Sequence, residues 1–163
     1  MAKSGKPVRG GEDDPLRLSN KLCFAIYSAA HAFNGVYKPL LDAIGLTYPQ
    51  YLVMLVLWER DGRTVKEIGG ALYLDSGTLT PLLKRMESAG LVRRVRDKED
   101  ERQVRITLTP QGSGLRAQAA KIPAALRCAL DDNVGDPETL HREIVALRDA
   151  LNRAVETSVK VKP

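Results

Sequence analysis

The sequence predicts a mainly α-helical chain with one small β-hairpin. Three observations support this. Apolar residues recur at three- and four-residue spacing along most of the 163 residues. Helix-start signatures recur, a capping residue followed by Pro or by Glu/Gln three positions on. Strict apolar/polar alternation is confined to Gln103–Leu108. The length suits one domain with its own core.

The formal net charge is +5 and the pI about 9.3. A basic chain can serve nucleic acid or an anionic membrane surface. No run approaches the roughly 20 apolar residues of a membrane span. Residues 1–13 carry positive charge with no apolar stretch behind them, so they read as a tail and not a secretory leader. A cytoplasmic location is the expectation. There, Cys23 and Cys128 would be reduced thiols, and any disulfide a transient, regulated one.

Asp14-Pro15 is the first helix-start signal. Leu22, Ile26, Ala29, Phe33 and Val36 follow at helical spacing, with interruptions expected at Asn34-Gly35 and Pro39. A short helical piece over Leu40–Ile44 ends at Gly45. Thr47 and Gln50 form a capping box opening a helix to about Arg60, apolar nearly all round and therefore buried. A second box, Thr64 with Glu67, starts a short helix to about Leu72. Asp75 and Ser76 can cap the next helix, running to Gly90. Its inner face is Leu79, Leu82, Leu83 and Met86, and Pro81 should distort its first turn.

Val92–Arg96 and Gln103–Leu108 read as paired strands around a polar turn, Asp97–Arg102. Thr109-Pro110 reopens helix, with a stripe of Leu115, Ala119, Ile122, Leu126 and Ala129 and a kink at Pro123. Asp136-Pro137 starts the last helix. Its stripe of Leu140, Ile144, Leu147, Leu151 and Ala154 has coiled-coil spacing over about two heptads. It fits packing on its own chain or on a second copy.

Short helix, tight turn, second helix with a polar outer face, then a basic hairpin is the order of a winged helix-turn-helix. The major groove of DNA admits a helix. Ser76, Thr78, Thr80, Lys84 and Arg85 are suited to base edges and phosphates. The hairpin adds Arg94, Arg96 and Arg102, fit to follow the backbone or enter a minor groove, with Asp100 placed to brace Arg102. Acids at Asp97, Glu99 and Glu101 dilute this charge, so a merely solvated hairpin is the competing reading.

Leu72–Arg85 closely resembles the recognition region of MarR-family repressors, and Asp100-Glu101-Arg102 resembles that family's wing motif. Leu22–Ala25, Tyr37–Asp42 and Leu46–Tyr51 resemble, more narrowly, the organic hydroperoxide resistance regulators within it. The resemblance spans about Leu18 to Leu130. It implies a homodimer with first and last helices at the interface, a double-stranded operator, and a peroxide-reactive Cys23. It also implies hydroxyls of Tyr37 and Tyr48 near that sulfur, and a second cysteine, matched by Cys128, that captures the oxidised first one across the dimer. The division expected is 14–45 and 109–158 for dimerisation, 46–108 for DNA reading, and tails at 1–13 and 159–163.

On its own Cys23 would pass for a small core residue, as would Cys128. Peroxide chemistry needs a thiolate. A helix beginning at Pro15 leaves Cys23 beyond the second turn, out of range of the helix N-terminus, so tyrosine hydroxyls are the better activators. Cys23 and Tyr37 stand 14 residues apart, roughly 21 Å on an unbroken helix. Either the chain folds back at Asn34-Gly35 or Tyr37 comes from a partner; the partner is favoured. Phe24 and Phe33 suit a greasy peroxide, or simply core.

Two rivals remain: a repressor released by a small aromatic ligand, and a thiol peroxidase. Thiol dependence separates the first, and turnover that survives loss of Arg85 and Arg102 would mark the second. No metal cluster, phosphate loop or hydrolase triad is evident, His31 and His141 are isolated, and neither cofactor nor metal is expected.

Overall fold

The computed structural model describes residues 14–97, 100, 102–130 and 135–160. The expected tail 1–13, the hairpin residues 98, 99 and 101, and residues 161–163 lie outside them. The chain forms two compact units, Met1–Pro123 and Ala124–Pro163.

The first helix, α1, spans Leu22–Asp42. Asp14 and Pro15 do not start it. The Asp14 carboxylate accepts the Leu16 N–H at 2.9 Å and its carbonyl accepts Arg17 N–H at 3.0 Å, forming a turn. A 3-10 turn follows at Leu18–Asn20, and extended backbone at Arg17 and Lys21 separates both from α1. Cys23 therefore lies in the first turn of α1, not beyond the second. Nor is α1 interrupted: it passes through Asn34, Gly35 and Pro39. Pro39 forfeits one backbone bond, but Leu41 beyond it is buried, and Tyr37, Leu40 and Ile44 pack on the same core. Burying such side chains yields about 1.5–3 kcal/mol each, enough to outweigh the local breaker signals.

Helix α2, Tyr48–Glu59, opens where Thr47 N–H donates to Gln50 Oε1 at 2.8 Å. Tyr51, Val53, Met54, Val56 and Leu57 are buried, but Leu55 is exposed, so the helix is covered on most sides and not all round as its apolarity led one to expect. Helices α3, Val65–Leu72, and α4, Ser76–Ser88, form the helix-turn-helix. Gly69 makes the tight turn possible, because a Cβ there would lie 2.8 Å from the Leu74 carbonyl oxygen. Helix α4 continues through Pro81.

The hairpin pairs Val92–Arg96 with Val104–Leu108, Val92 opposite Leu108 and Arg96 opposite Val104. A third strand was not anticipated. Arg63–Thr64 (β1) pairs antiparallel with Val104–Leu108 (β3), giving the order β1-β3-β2 with Val92–Arg96 as β2. Ile106 sits centrally and wholly buried, joining Ile68, Leu79, Leu83, Met86 and Val92 in one core. Helix α5 spans Pro110–Ala119. Instead of kinking at Pro123, the chain breaks at Ala120-Lys121 and restarts as α6, Ile122–Leu130, with Pro123 in the tolerant first turn.

In the second unit Asp136 caps α7, Pro137–Lys160, accepting Thr139 N–H at 3.1 Å. Leu147 is half-buried, whereas Leu140, Ile144 and Leu151 of the same stripe are exposed.

Candidate nucleic-acid interface and cysteine positions

The start of α3 is fixed by a reciprocal cap. Thr64 N–H donates to Glu67 Oε2 at 2.7 Å and Glu67 N–H donates to Thr64 Oγ1 at 3.2 Å. The backbone bond from Thr64, then its hydroxyl, holds the Glu67 carboxyl below the usual carboxylate range. Tyr73 ends α3 in the left-handed region, φ 55°. Asp75 then caps α4, its Oδ1 accepting Thr78 N–H and its Oδ2 accepting Thr78 Oγ1–H, both at 2.9 Å. These bonds, the backbone one foremost, depress the Asp75 carboxyl. The hydroxyl of Thr78 gives its proton to the cap and keeps its lone pairs as acceptors.

With Leu79, Leu82, Leu83 and Met86 buried, α4 presents Ser76, Thr78, Lys84 and Arg85 to solvent, and Thr80 half-buried beside them. In the wing, Arg96 is exposed, and Arg102 is 91% exposed. Asp100 Oδ1 accepts both the backbone N–H and Nε–H of Arg102 at 3.1 Å. Hydrogen bonds from Arg102 and Gln103 keep the Asp100 carboxyl below its ordinary range.

Arg94 stands apart from these cations. It lies opposite Ile106 in the ladder, hence on the core-facing side, and its side chain is only 27% exposed. Its backbone N–H donates to Glu87 Oε1 of α4 at 3.0 Å, and its guanidinium lies 4.0 Å from the same carboxylate. Arg105 also has an internal task that sequence reasoning missed. It pairs with the buried Asp97 and donates to the Gly62 carbonyl at 3.0 Å, tying the wing to the α2–β1 turn.

Both cysteines are exposed free thiols, Cys23 in α1 and Cys128 in α6. Tyr37 is half-buried, with ring centroids of Tyr48 and Tyr51 at 4.9 and 5.9 Å. Burial foremost, then the neighbouring phenols, raises the Tyr37 hydroxyl above its usual range, so at neutral pH it remains a donor. The aromatic cluster is therefore real, but Cys23 of the same chain is not part of it. Tyr27 is a neighbour of Cys23 that sequence reasoning did not single out. It follows Cys23 by one helical turn, the spacing that puts two side chains on one face, and is exposed with its ring against His31 at 4.6 Å.

Among the described residues no group of His, Cys, Asp and Glu could hold a metal ion. No described helix is long and apolar enough to cross a membrane.

A helix-turn-helix with a polar outer helix face and an adjoining basic three-stranded wing defines a winged-helix DNA-binding regulator. The family model described as transcriptional regulator SarA/Rot matches residues 35–118. The organic hydroperoxide resistance transcriptional regulator of Bacillus subtilis (strain 168) is 45% identical over 88% of this chain and 93% of its own length. The HTH-type transcriptional regulator TtmR of Methylorubrum extorquens (strain PA1) is 51% identical over 87% of this chain and 73% of its own. Among solved structures, reduced AbfR bound to DNA superposes with TM-score 0.76 at 35% identity, covering 89% of this chain and 99% of that one. A disulfide-formed AbfR matches at TM-score 0.60 and 37% identity, over 83% and 93%. The chain belongs to this SarA/MarR-like family of winged-helix transcriptional regulators, as one of the organic hydroperoxide resistance type. Its relatives are regulators and not enzymes, which removes the thiol peroxidase reading.

Proposed function

We infer that this chain is a homodimeric repressor that leaves its operator when an organic hydroperoxide oxidises Cys23. Helix α4 reads the major groove through Ser76, Thr78, Thr80, Lys84 and Arg85, while Arg96 and Arg102, the latter braced by Asp100, hold the flanking backbone or minor groove. Segments 14–45 and 109–158 form the dimer. In support, α1 leaves Leu22, Ile26 and Phe33 exposed, and α7 leaves Leu140, Ile144 and Leu151 exposed. Apolar stripes of this kind call for a covering surface, and a second copy supplies both. The regulator acts in the cytoplasm.

The observation that carries the sensor is the unbroken α1. Fourteen residues of continuous helix separate Cys23 from Tyr37 by roughly 21 Å. The fold-back that would join them in one chain is absent. Tyr37 and Tyr48 thus serve the partner's cysteine, their phenols donating to the sulfur. The Cys23 thiolate attacks the peroxide's terminal oxygen, the O–O bond breaks, and a proton converts the departing alkoxide to an alcohol. The resulting sulfenic acid condenses with the Cys128 thiol across the dimer, losing water and forming a disulfide. A DNA-bound reduced form and a disulfide form are both known for the similar AbfR, which supports this order of states.

The test is operator binding by the wild type and Cys23→Ser, with and without cumene hydroperoxide. The variant should bind and ignore the peroxide; release of DNA by the oxidised variant would sink the mechanism. Cys128→Ser should still sense but show no intersubunit disulfide on a non-reducing gel. A second reading, release by a small aromatic ligand, draws on a cavity of about 220 Å³ lined by Tyr51, Leu55, Trp58 and Arg116. Peroxide-independent release by such a ligand from Cys23→Ser would favour it.

A further inference from the structure

The wing strand leaves the recognition helix through only three residues, Ala89, Gly90 and Leu91. Gly90 there adopts φ +72°, a conformation that side-chain-bearing residues rarely take. So short a joint leaves the angle between helix and wing to whatever spans it. Two contacts do so. Thr109, at the far end of β3, donates through Oγ1 to the Gly90 carbonyl at 2.6 Å and through its N–H to the Leu91 carbonyl at 3.1 Å. On the other side Glu87, in the last turn of α4, accepts the Arg94 N–H at 3.0 Å. That bond closes a ring of chain from residue 87 to residue 94. The Arg94 side chain is mostly buried, its guanidinium 4.0 Å from the Glu87 carboxylate and its Nε buried without a hydrogen-bond partner. Its placement suits packing and not a phosphate.

We propose that Glu87 is a positioning residue which, through the Arg94 backbone N–H, sets the wing against the recognition helix so that both reach DNA together. Arg94 belongs to this strut and does not contact DNA. The inference rests on the wing contact through Arg102 proposed above. It makes a prediction opposite to simple electrostatics. Removing an exposed acid from a DNA-reading surface ordinarily strengthens binding to a polyanion; removing Glu87 weakens it.

The probe is a duplex enriched on the reduced wild-type dimer from a random-sequence library, titrated at several salt concentrations. Glu87→Ala should bind about tenfold more weakly, the value of one hydrogen bond to a charged group. Glu87→Gln keeps an acceptor for the Arg94 N–H and should stay within about threefold of wild type. The salt slope of Glu87→Ala should be shallower by about one phosphate contact, because the wing no longer engages. In a double-mutant cycle Arg102→Ala should cost much less in the Glu87→Ala background than alone. A general loss of fold would move neither the slope nor the coupling in this pattern.

Glu87→Ala binding as tightly as wild type or tighter overturns the proposal. So does Glu87→Gln as weak as Glu87→Ala, or a full Arg102→Ala penalty in both backgrounds. Arg102→Ala without effect in the otherwise intact dimer overturns the wing contact itself, and the strut falls with it. Arg102→Ala weakening binding while Glu87→Ala does not overturns the strut alone.

Discussion

Two mixed dimers of identical composition decide whether Tyr37 acts across the subunit boundary. In the first, one chain carries Tyr37→Phe and the other Cys23→Ser. The only Cys23 then belongs to the chain lacking Tyr37 and faces the partner's intact tyrosine. In the second, one chain is wild type and the other carries both substitutions, so the only Cys23 faces the partner's phenylalanine. Roughly 21 Å of unbroken α1 separates the two positions within a chain, far beyond hydrogen-bond reach of about 3 Å. Losing one hydrogen bond to a charged sulfur costs about 1.5–3 kcal/mol, or roughly 10- to 100-fold in the rate of sulfenate formation. Stopped-flow oxidation by cumene hydroperoxide, with a sulfenic-acid trap as readout, should find the first dimer near the wild-type rate per cysteine and the second slower by that factor. The reverse order would refute the shared-site reasoning, and equal rates would deny Tyr37 any role at the sulfur.

Gly112 and Gly114 of α5 should respond to alanine with opposite signs. A Cβ on Gly112 would lie 2.1 Å from the Leu91 carbonyl oxygen and strain the 3.1 Å bond from Trp58 Nε1 to the Gly112 carbonyl, whereas at Gly114 nothing lies within 4 Å. At fixed protein concentration, urea unfolding should show Gly112→Ala destabilised by about 3 kcal/mol and Gly114→Ala stabilised by up to about 1 kcal/mol. On α4, Leu83→Ala should cost about 2–5 kcal/mol of stability. Its neighbour Lys84→Ala should leave unfolding unchanged and make the salt slope of DNA binding shallower by about 0.9. Acid should loosen the helix-turn-helix: Glu67 and Asp75 have carboxyls held lower in the folded than in the unfolded chain. Their contribution is therefore full above the unfolded values, about pH 4, and is lost as pH falls through the folded ones. Asp75→Asn keeps an acceptor for the Thr78 N–H but not the charge, so it should lower stability at neutral pH and flatten the acid limb of a stability-versus-pH curve, the difference from wild type shrinking as pH falls.

What was legible in the sequence is what the chain settles locally. The Thr64/Glu67 box, the Asp75 cap and the Thr109-Pro110 start each depend on residues within three positions of one another, and each forms. The start of α1 misled because Lys21 has no capping side chain, while Asp14-Pro15, seven residues earlier, carries a strong signal that ends in a turn. Pro39 misled because breaker signals are local and the burial of Leu41 is not. Strand β1 has two residues, too few for any pattern, and exists only because β3 offers an edge. The same distinction governs the site. Arg102 and Asp100 can be read together two positions apart, but the inward face of Arg94 follows from ladder register, and the Arg105–Asp97–Gly62 tie spans 43 residues.

The start of α1 at Leu22 bears on the chemistry and not only on a boundary. As the second residue of α1, Cys23 falls within the range of the helix N-terminus that a start at Pro15 would deny it, so in the proposed mechanism a phenol from the other subunit need not act alone. Sensing in that proposed mechanism then divides between a local feature of α1 and one that would exist only in the assembled dimer. This division bears on release. A hundredfold loss of operator affinity requires about 2.8 kcal/mol of differential stability between reading and non-reading arrangements. One disulfide typically contributes about 2–4 kcal/mol to the arrangement it fits, so a single Cys23–Cys128 link is enough, provided it closes only in the non-reading one. A dimer with one link should therefore already be largely released. Redox titration of mixed dimers able to form only one disulfide should give a DNA affinity close to that of the doubly linked protein. Affinity midway between reduced and doubly linked dimers would mean that each link adds its own increment and that no shared two-state change connects them.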